Sequence, residues 1–189
     1  QKMGRIFQRD GISKLSLSYM PEKLPHREEH VEEMTMLFAP MAEGIEQVPW
    51  AVMVVGPSGT GKTAVVRRSL YLIESRSRAK AVRLRTEYLN CRFAISDYAL
   101  LQMLALKLIQ GISSRGYSTT ELLQAIQEYL NNRKEKILIA LDDFDSFLRS
   151  VGRKTSVIYD VLKEHEGGKG NIFLILAGVE DFSIYFEES

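Results

Sequence analysis

The chain has 189 residues, 45% of them hydrophobic and 26% charged, which is ordinary for a globular protein long enough to bury a core. A formal net charge of +1 excludes bulk electrostatics as a reason to bind nucleic acid or an anionic membrane. The single cysteine excludes an internal disulfide framework, and no apolar run approaches the roughly 20 residues of a membrane-spanning helix. The opening residues, Gln1 to Phe7, lack the apolar core of a signal peptide, so a soluble, cytoplasmic protein without a membrane partner is expected.

The first fifty residues are punctuated by Pro21, Pro25, Pro40 and Pro49. Between them His26–Phe38 reads as an amphipathic helix, with Val31, Met34 and Phe38 close to one face. Strand candidates follow at Ala51–Val55, at Lys80–Leu84 with extension to Asn90, at Lys136–Leu141 and at Asn171–Ala177. Helices fill the intervals at about Lys62–Ser75, Asp97–Ile112, Thr119–Asn131 and Thr155–Glu166. Alternation of strand and helix predicts an α/β fold with a three-layer parallel sheet. The first, third and fourth strands are apolar throughout, as strands flanked on both sides should be, whereas Ala81–Arg85 alternates and suits an edge.

The run Gly56, Pro57, Ser58, Gly59, Thr60, Gly61, Lys62, Thr63 fits the phosphate-binding loop pattern, and Ala64 opens the helix behind it. Its setting, an apolar strand before and a helix after, is the one this chemistry needs. Glycines let the backbone turn so that successive N–H groups face phosphate oxygens, and the helix start adds its own unpaired donors. Lys62 can reach the β- and γ-phosphates of ATP or ADP, and the Thr63 hydroxyl can hold Mg²⁺. The third strand ends in Leu141-Asp142-Asp143-Phe144-Asp145, where an acidic residue at a strand's C-terminal end can hold Mg²⁺. Asp142 is assigned that role and Asp143 that of polarising the attacking water. The same residues could instead form an acidic turn capping a helix that starts near Ser146.

Tyr19–Glu28 with its Leu-Pro-His-Arg-Glu, Gly56–Thr63, Asn90-Cys91-Arg92 and Leu141–Asp145 occur in an order that resembles the archaeal-type origin-recognition and cell-division-control replication initiators of the AAA+ ATPase class. The resemblance implies an N-terminal segment, residues 1–49, packed on an ATPase core at 50–189. It places Pro21, Leu24, Pro25, His26 and Arg27 over the adenine, and Arg92 to Tyr98 near duplex DNA. It also implies slow ATP hydrolysis, origin DNA and a replicative helicase or other initiator subunits as partners, and a nucleoid-associated location. Two departures bear on turnover. The family's second acid after the strand is usually glutamate, here Asp143, and the polar residue expected after the fourth strand aligns with Glu180, whose charge would repel a γ-phosphate.

The chain ends at Ser189, before the fifth strand, helical lid and winged-helix domain that the resemblance implies. In that family the fifth strand pairs with the phosphate-loop strand. Ala51–Val55 is therefore expected to present an open apolar edge, with self-association unless another segment covers it. Two other readings stay open: a structural nucleotide-binding subunit with little hydrolysis, and a AAA+ or signalling ATPase whose partner is protein. Arg76, Arg78, Lys80, Arg83 and Arg85 form a basic cluster read as a solvated face in preference to a DNA contact. His26, His30 and His165 show no metal-ligand spacing with Cys91, and Trp50 reads as a packing residue.

Overall fold

The computed structural model describes residues 6–7, 12–16, 27–152 and 155–182. Its elements in chain order are β1 (Ile6–Phe7), β2 (Ile12–Ser16), α1 (Arg27–Phe38), β3 (Ala51–Val55), α2 (Lys62–Ala79), β4 (Leu84–Asn90), α3 (Asp97–Leu108), α4 (Thr119–Arg133), β5 (Lys136–Asp142), α5 (Phe144–Ser150), α6 (Val157–Glu166) and β6 (Ile172–Gly178). The sheet runs β1-β2-β3-β6-β5-β4, parallel throughout except for the β1–β2 pair. Parallel strands alternate with covering helices in the three-layer α/β arrangement expected, and β4 lies at an edge as expected.

The pleat divides the core into two layers. Ala51, Met53, Ile137, Ile139, Leu174 and Leu176 face one way, against α3, α4, α5 and α6. Val52, Val54, Leu138, Ala140, Phe173 and Ile175 face the other, against Met34 and Phe38 of α1 and Val66, Leu70 and Ile73 of α2. Because β3, β5 and β6 are covered on both faces, their apolar runs need no polar interruption. Helix starts are capped locally. Ser96 accepts the Ala99 N–H at 3.0 Å, and Ser118 and Glu121 form a reciprocal capping box.

Three expectations need correction. The second strand begins at Leu84, not Lys80, because α2 runs on to Ala79 and Lys80 caps it. Ala81 then takes a left-handed backbone (φ 56), which no strand accommodates. The helix expected to reach Ile112 stops at Leu108, where Ile109 turns extended and Gly111 follows at φ 79. Finally, β3 has no open edge. β2 pairs with it in parallel register, from Ile12 opposite Ala51 to Ser16 opposite Val55. With that edge hydrogen-bonded, the reason given for self-association falls away.

At the sheet's N-terminal end His165 stacks on Trp50 at 5.1 Å and meets the edge of Phe173 at 4.7 Å. Its Nε2 lies 2.6 Å from the Ile172 carbonyl, which can only accept, so Nε2 carries the proton. Burial holds the ring's pKa below its ordinary 6.5; Lys136 acts in the same direction, while the Ile172 hydrogen bond, Glu46 and Glu164 oppose. The unfolded ring therefore takes up a proton near 6.5 that the folded ring resists, and stability is lost as pH falls through and below that value. Urea midpoints followed by Trp50 fluorescence should drop between pH 7 and 5, and His165→Gln should flatten that part of the profile.

Candidate functional site

Register brings the strand ends level. Asn90 stands opposite Asp142, Val55 stands opposite Gly178, and the Gly56 N–H donates to the Gly178 carbonyl at 3.3 Å. The loop from Gly56 and the acidic run from Asp142 both leave the sheet at this C-terminal edge, where open α/β sheets bind ligands.

The loop from Gly56 to Gly61 turns through Gly59 at φ 79 and Gly61 at φ 86, conformations that side chains seldom adopt. Thr60 donates to the Pro57 carbonyl at 2.8 Å and tightens the turn. Pro57, Ser58 and Gly59 are exposed, as are Thr63 and Ala64 in the first turn of α2. Lys62 is 92% buried by contrast, being only 8% exposed, and its ammonium donates to the carbonyls of Gly56 at 2.5 Å and Pro57 at 2.8 Å. Burial lowers its pKa, and attraction from Asp142, Asp145 and Asp143 acts against that.

Thr63 donates its hydroxyl to Asp142 Oδ2 at 2.6 Å, joining the two motifs across the sheet edge. Asp142 Oδ1 accepts the Asp143 N–H at 3.0 Å. The three nearby carboxylates thus have separate situations. Asp142 is buried and accepts hydroxyls. Asp143 has left-handed backbone (φ 51, ψ 37) at the N-cap of α5 and makes no side-chain capping bond there. Asp145 is buried, and its Oδ2 accepts the backbone N–H of Val179 at 3.0 Å and of Glu180 at 3.4 Å.

Of the residues the sequence assigns to the adenine, Pro21, Leu24, Pro25 and His26 lie outside the described residues. Arg27 opens α1 with its guanidinium against the phosphate loop: a Cβ on Gly61 would come within 2.6 Å of Arg27 Nε. Glu180 is exposed after β6. Arg92 is exposed in a short 3₁₀ turn after β4, followed by Phe93 and Ile95, both strongly exposed. The basic cluster is largely engaged internally. Arg78 pairs with Glu74 at 3.1 Å, Arg85 pairs with Glu87 at 2.7 Å, and Arg83 donates to the Arg133 carbonyl at 2.8 Å. Cys91 is buried with its thiol pKa pushed up by burial, which leaves it unreactive.

Sequence reading assigned no site role to two residues. Asp145 carried no motif signal beyond its place in an acidic run. Tyr88 carried none at all, although its hydroxyl donates to Asp142 Oδ2 at 2.5 Å. Burial and that bond push the phenol pKa up to about 12, so it stays protonated and can only donate its proton to the carboxylate.

The AAA ATPase domain family matches residues 23–175. Over 154 residues the chain is 35% identical to ORC1-type DNA replication protein 2 of Saccharolobus solfataricus, covering 81% of this chain and 37% of that protein. It is 32% identical over 132 residues to ORC1-type DNA replication protein 1 of Archaeoglobus fulgidus, covering 70% and 32% respectively. The chain thus spans about a third of the length of these relatives. Among solved structures, the Aeropyrum pernix ORC2 protein in its ADPNP-ADP complexes has a TM-score of 0.75 at 21% identity, over 92% of this chain and 46% of that one. The Aeropyrum pernix ORC1 protein in complex with DNA gives 0.71 at 24% identity, over 90% and 44%. At these identities the structural likeness speaks for the fold. The chain belongs to the AAA ATPase family, and the curated relatives it resembles here are archaeal ORC1-type DNA replication proteins.

Asp145→Ala would strand two backbone donors at the end of β6, at a cost of about 1–3 kcal/mol. Asp145→Asn keeps an acceptor and should lose less in chemical denaturation. Gly178→Ala should also destabilise, since its Cβ would meet Phe182 at 2.9 Å and Asp145 at 3.0 Å.

Proposed function

We propose that the chain is the ATP-binding module of a DNA replication initiator, holding ATP or ADP with Mg²⁺ between the phosphate loop and Asp142. The reading is carried by the 2.6 Å hydrogen bond from Thr63 to Asp142, with both groups at the C-terminal strand edge. A threonine hydroxyl that gives its one proton to a carboxylate keeps its lone pairs for a cation. The donor set fits Mg²⁺, which takes few protein ligands and completes its shell with phosphate and water. When bound, Mg²⁺ neutralises charge on the phosphate oxygens.

The chain's own groups divide the work as follows. Lys62 exchanges the Gly56 and Pro57 carbonyls for β- and γ-phosphate oxygens, within reach of the position it already occupies. Thr63 and Asp142 orient the cation. Pro21, Leu24, Pro25, His26 and Arg27 cover the base, with Arg27 already against the loop at Gly61. Asp143 orients the attacking water; as the shorter acid in a left-handed backbone, it supports slow turnover. Bound nucleotide then acts as a switch between conformations of the whole initiator. Origin DNA binding, helicase loading and a cytoplasmic, nucleoid-associated location are proposed for that whole protein, with Arg92 and the segment to Tyr98 offered to duplex DNA. The names of the ORC1-type relatives support this.

The same position of Asp143 favours a second reading, a subunit that binds nucleotide and turns it over little. Calorimetric titration with ATP and ADP in Mg²⁺, followed by single-turnover hydrolysis, tests both. Lys62→Ala should weaken binding about 10–100-fold, the loss of a charge-assisted contact. Asp143→Gly should relieve about 1 kcal/mol of left-handed strain and raise Tm by about 2–4 °C while abolishing turnover. Turnover retained in Asp143→Gly would remove Asp143 from the reaction. Absence of binding to the unmodified chain would overturn the proposal.

A further inference from the structure

Asp142 Oδ2 accepts two hydroxyls, Thr63 at 2.6 Å and Tyr88 at 2.5 Å. With the Asp143 N–H on Oδ1, three donors from α2, β4 and the turn after β5 converge on one carboxylate. Left to a single donor, an aspartate's terminal torsion is broad. Three donors in different directions define its plane. Tyr88 is itself held: the exposed Arg67 guanidinium lies 3.8 Å above its ring centroid, and the ring packs against the α2-side core. Tyr88 belongs to neither the phosphate loop nor the acidic run. A packing role alone would be met by phenylalanine and would place no hydroxyl on a buried carboxylate.

We propose that Tyr88, clamped by Arg67, is a positioning residue that fixes the Asp142 carboxylate for the cation. Its hydroxyl occupies part of Oδ2 and so holds the Thr63 proton in one direction, with the threonine lone pairs turned outward. This rests on the reading that Thr63 and Asp142 hold Mg²⁺ with a nucleotide. Outer partners of this kind typically contribute 10–100-fold to metal affinity.

The test uses Tyr88→Phe, which keeps the ring and removes the hydroxyl, with ADP and Mn²⁺ or Mg²⁺ as probes. Free Mn²⁺, measured by electron paramagnetic resonance in the presence of saturating ADP, gives cation affinity without turnover. ADP affinity in excess chelator should stay within twofold of the unmodified chain, while half-saturating Mn²⁺ and Mg²⁺ rise about tenfold. Arg67→Gln should move the same quantity in the same direction by about threefold. A Tyr88→Phe protein with lowered Tm but unchanged half-saturating cation would reduce Tyr88 to packing and overturn the proposal. Should Tyr88→Phe fail to fold, Arg67→Gln decides alone, an unchanged cation requirement counting against the clamp. If the unmodified chain binds ADP with no cation dependence, the Mg²⁺ site itself is wrong and the inference falls with it. A cation-dependent unmodified chain matched by both variants overturns only the role of Tyr88.

Discussion

Thr63 and Asp142 stand 79 positions apart, and the hydrogen bond between them is possible only because of the strand order. β6 lies between β3 and β5, so the two strands that carry the motifs are roughly 10 Å apart, two strand spacings of about 4.8 Å. Neither side chain spans that distance from its own strand. The first turn of α2 must therefore reach across the end of β6, and the end of β6 must stay low and fixed beneath it. Gly178 has no room for a Cβ between Phe182 and Asp145, so the end of β6 packs closely on the turn after β5. Asp145 holds it there by accepting the backbone donors of Val179 and Glu180. The middle strand is thus pinned from the neighbouring strand's turn, and the two nucleotide motifs meet above it.

The acidic run shows how backbone geometry separates chemically similar groups. Asp142, Asp143 and Asp145 lie within four positions, yet only the buried Asp142 meets the phosphate-loop helix through a hydrogen bond. The left-handed turn at Asp143 ends β5 and starts α5 immediately, rotating the next carboxylates onto different neighbours. It also sets Asp145 inward, where it serves the chain's own N–H groups. All three act on Lys62, offsetting part of what burial takes from its charge. The contacts that hold the Lys62 ammonium in place are the carbonyls of Gly56 and Pro57.

What could be read from the sequence follows from whether the cause is local. The phosphate loop and its helix were legible because glycines at left-handed positions, an apolar strand and a helix start are all specified within about twenty residues. Asp142 was legible for the same reason, as an acid ending an apolar strand. The start of β4 was not, because the alternation of Val82–Arg85 extends ahead of Leu84 while Ala81 adopts a left-handed turn at the end of α2. β2 gives no such signal, because Ile12–Ser16 is short and places two polar residues between its two apolar ones, and its pairing with β3 is what makes it a strand. Tyr88 acquires its partner through register: Asn90 opposite Asp142 places Tyr88 two pairs back, opposite Ala140, on the α2 face. No spacing rule within either segment contains that fact.

Gly61 shows local and distant causes acting on one position. Its φ of 86 alone would favour glycine, because that conformation is what lets α2 begin directly at Lys62. The Arg27 guanidinium adds an independent requirement, since any Cβ would come within 2.9 Å of its Cζ. A side chain tolerated by the turn would still have to push Arg27 off the loop. The loop consequently has a cation on each side, Lys62 from within and Arg27 from α1, while the acids stand at the far side of β6. Because α1 packs along α2, the position of Arg27 is set by a helix–helix contact and not by the loop itself. A change in how α1 sits on α2 would therefore alter the charge over Gly61 without touching a motif residue.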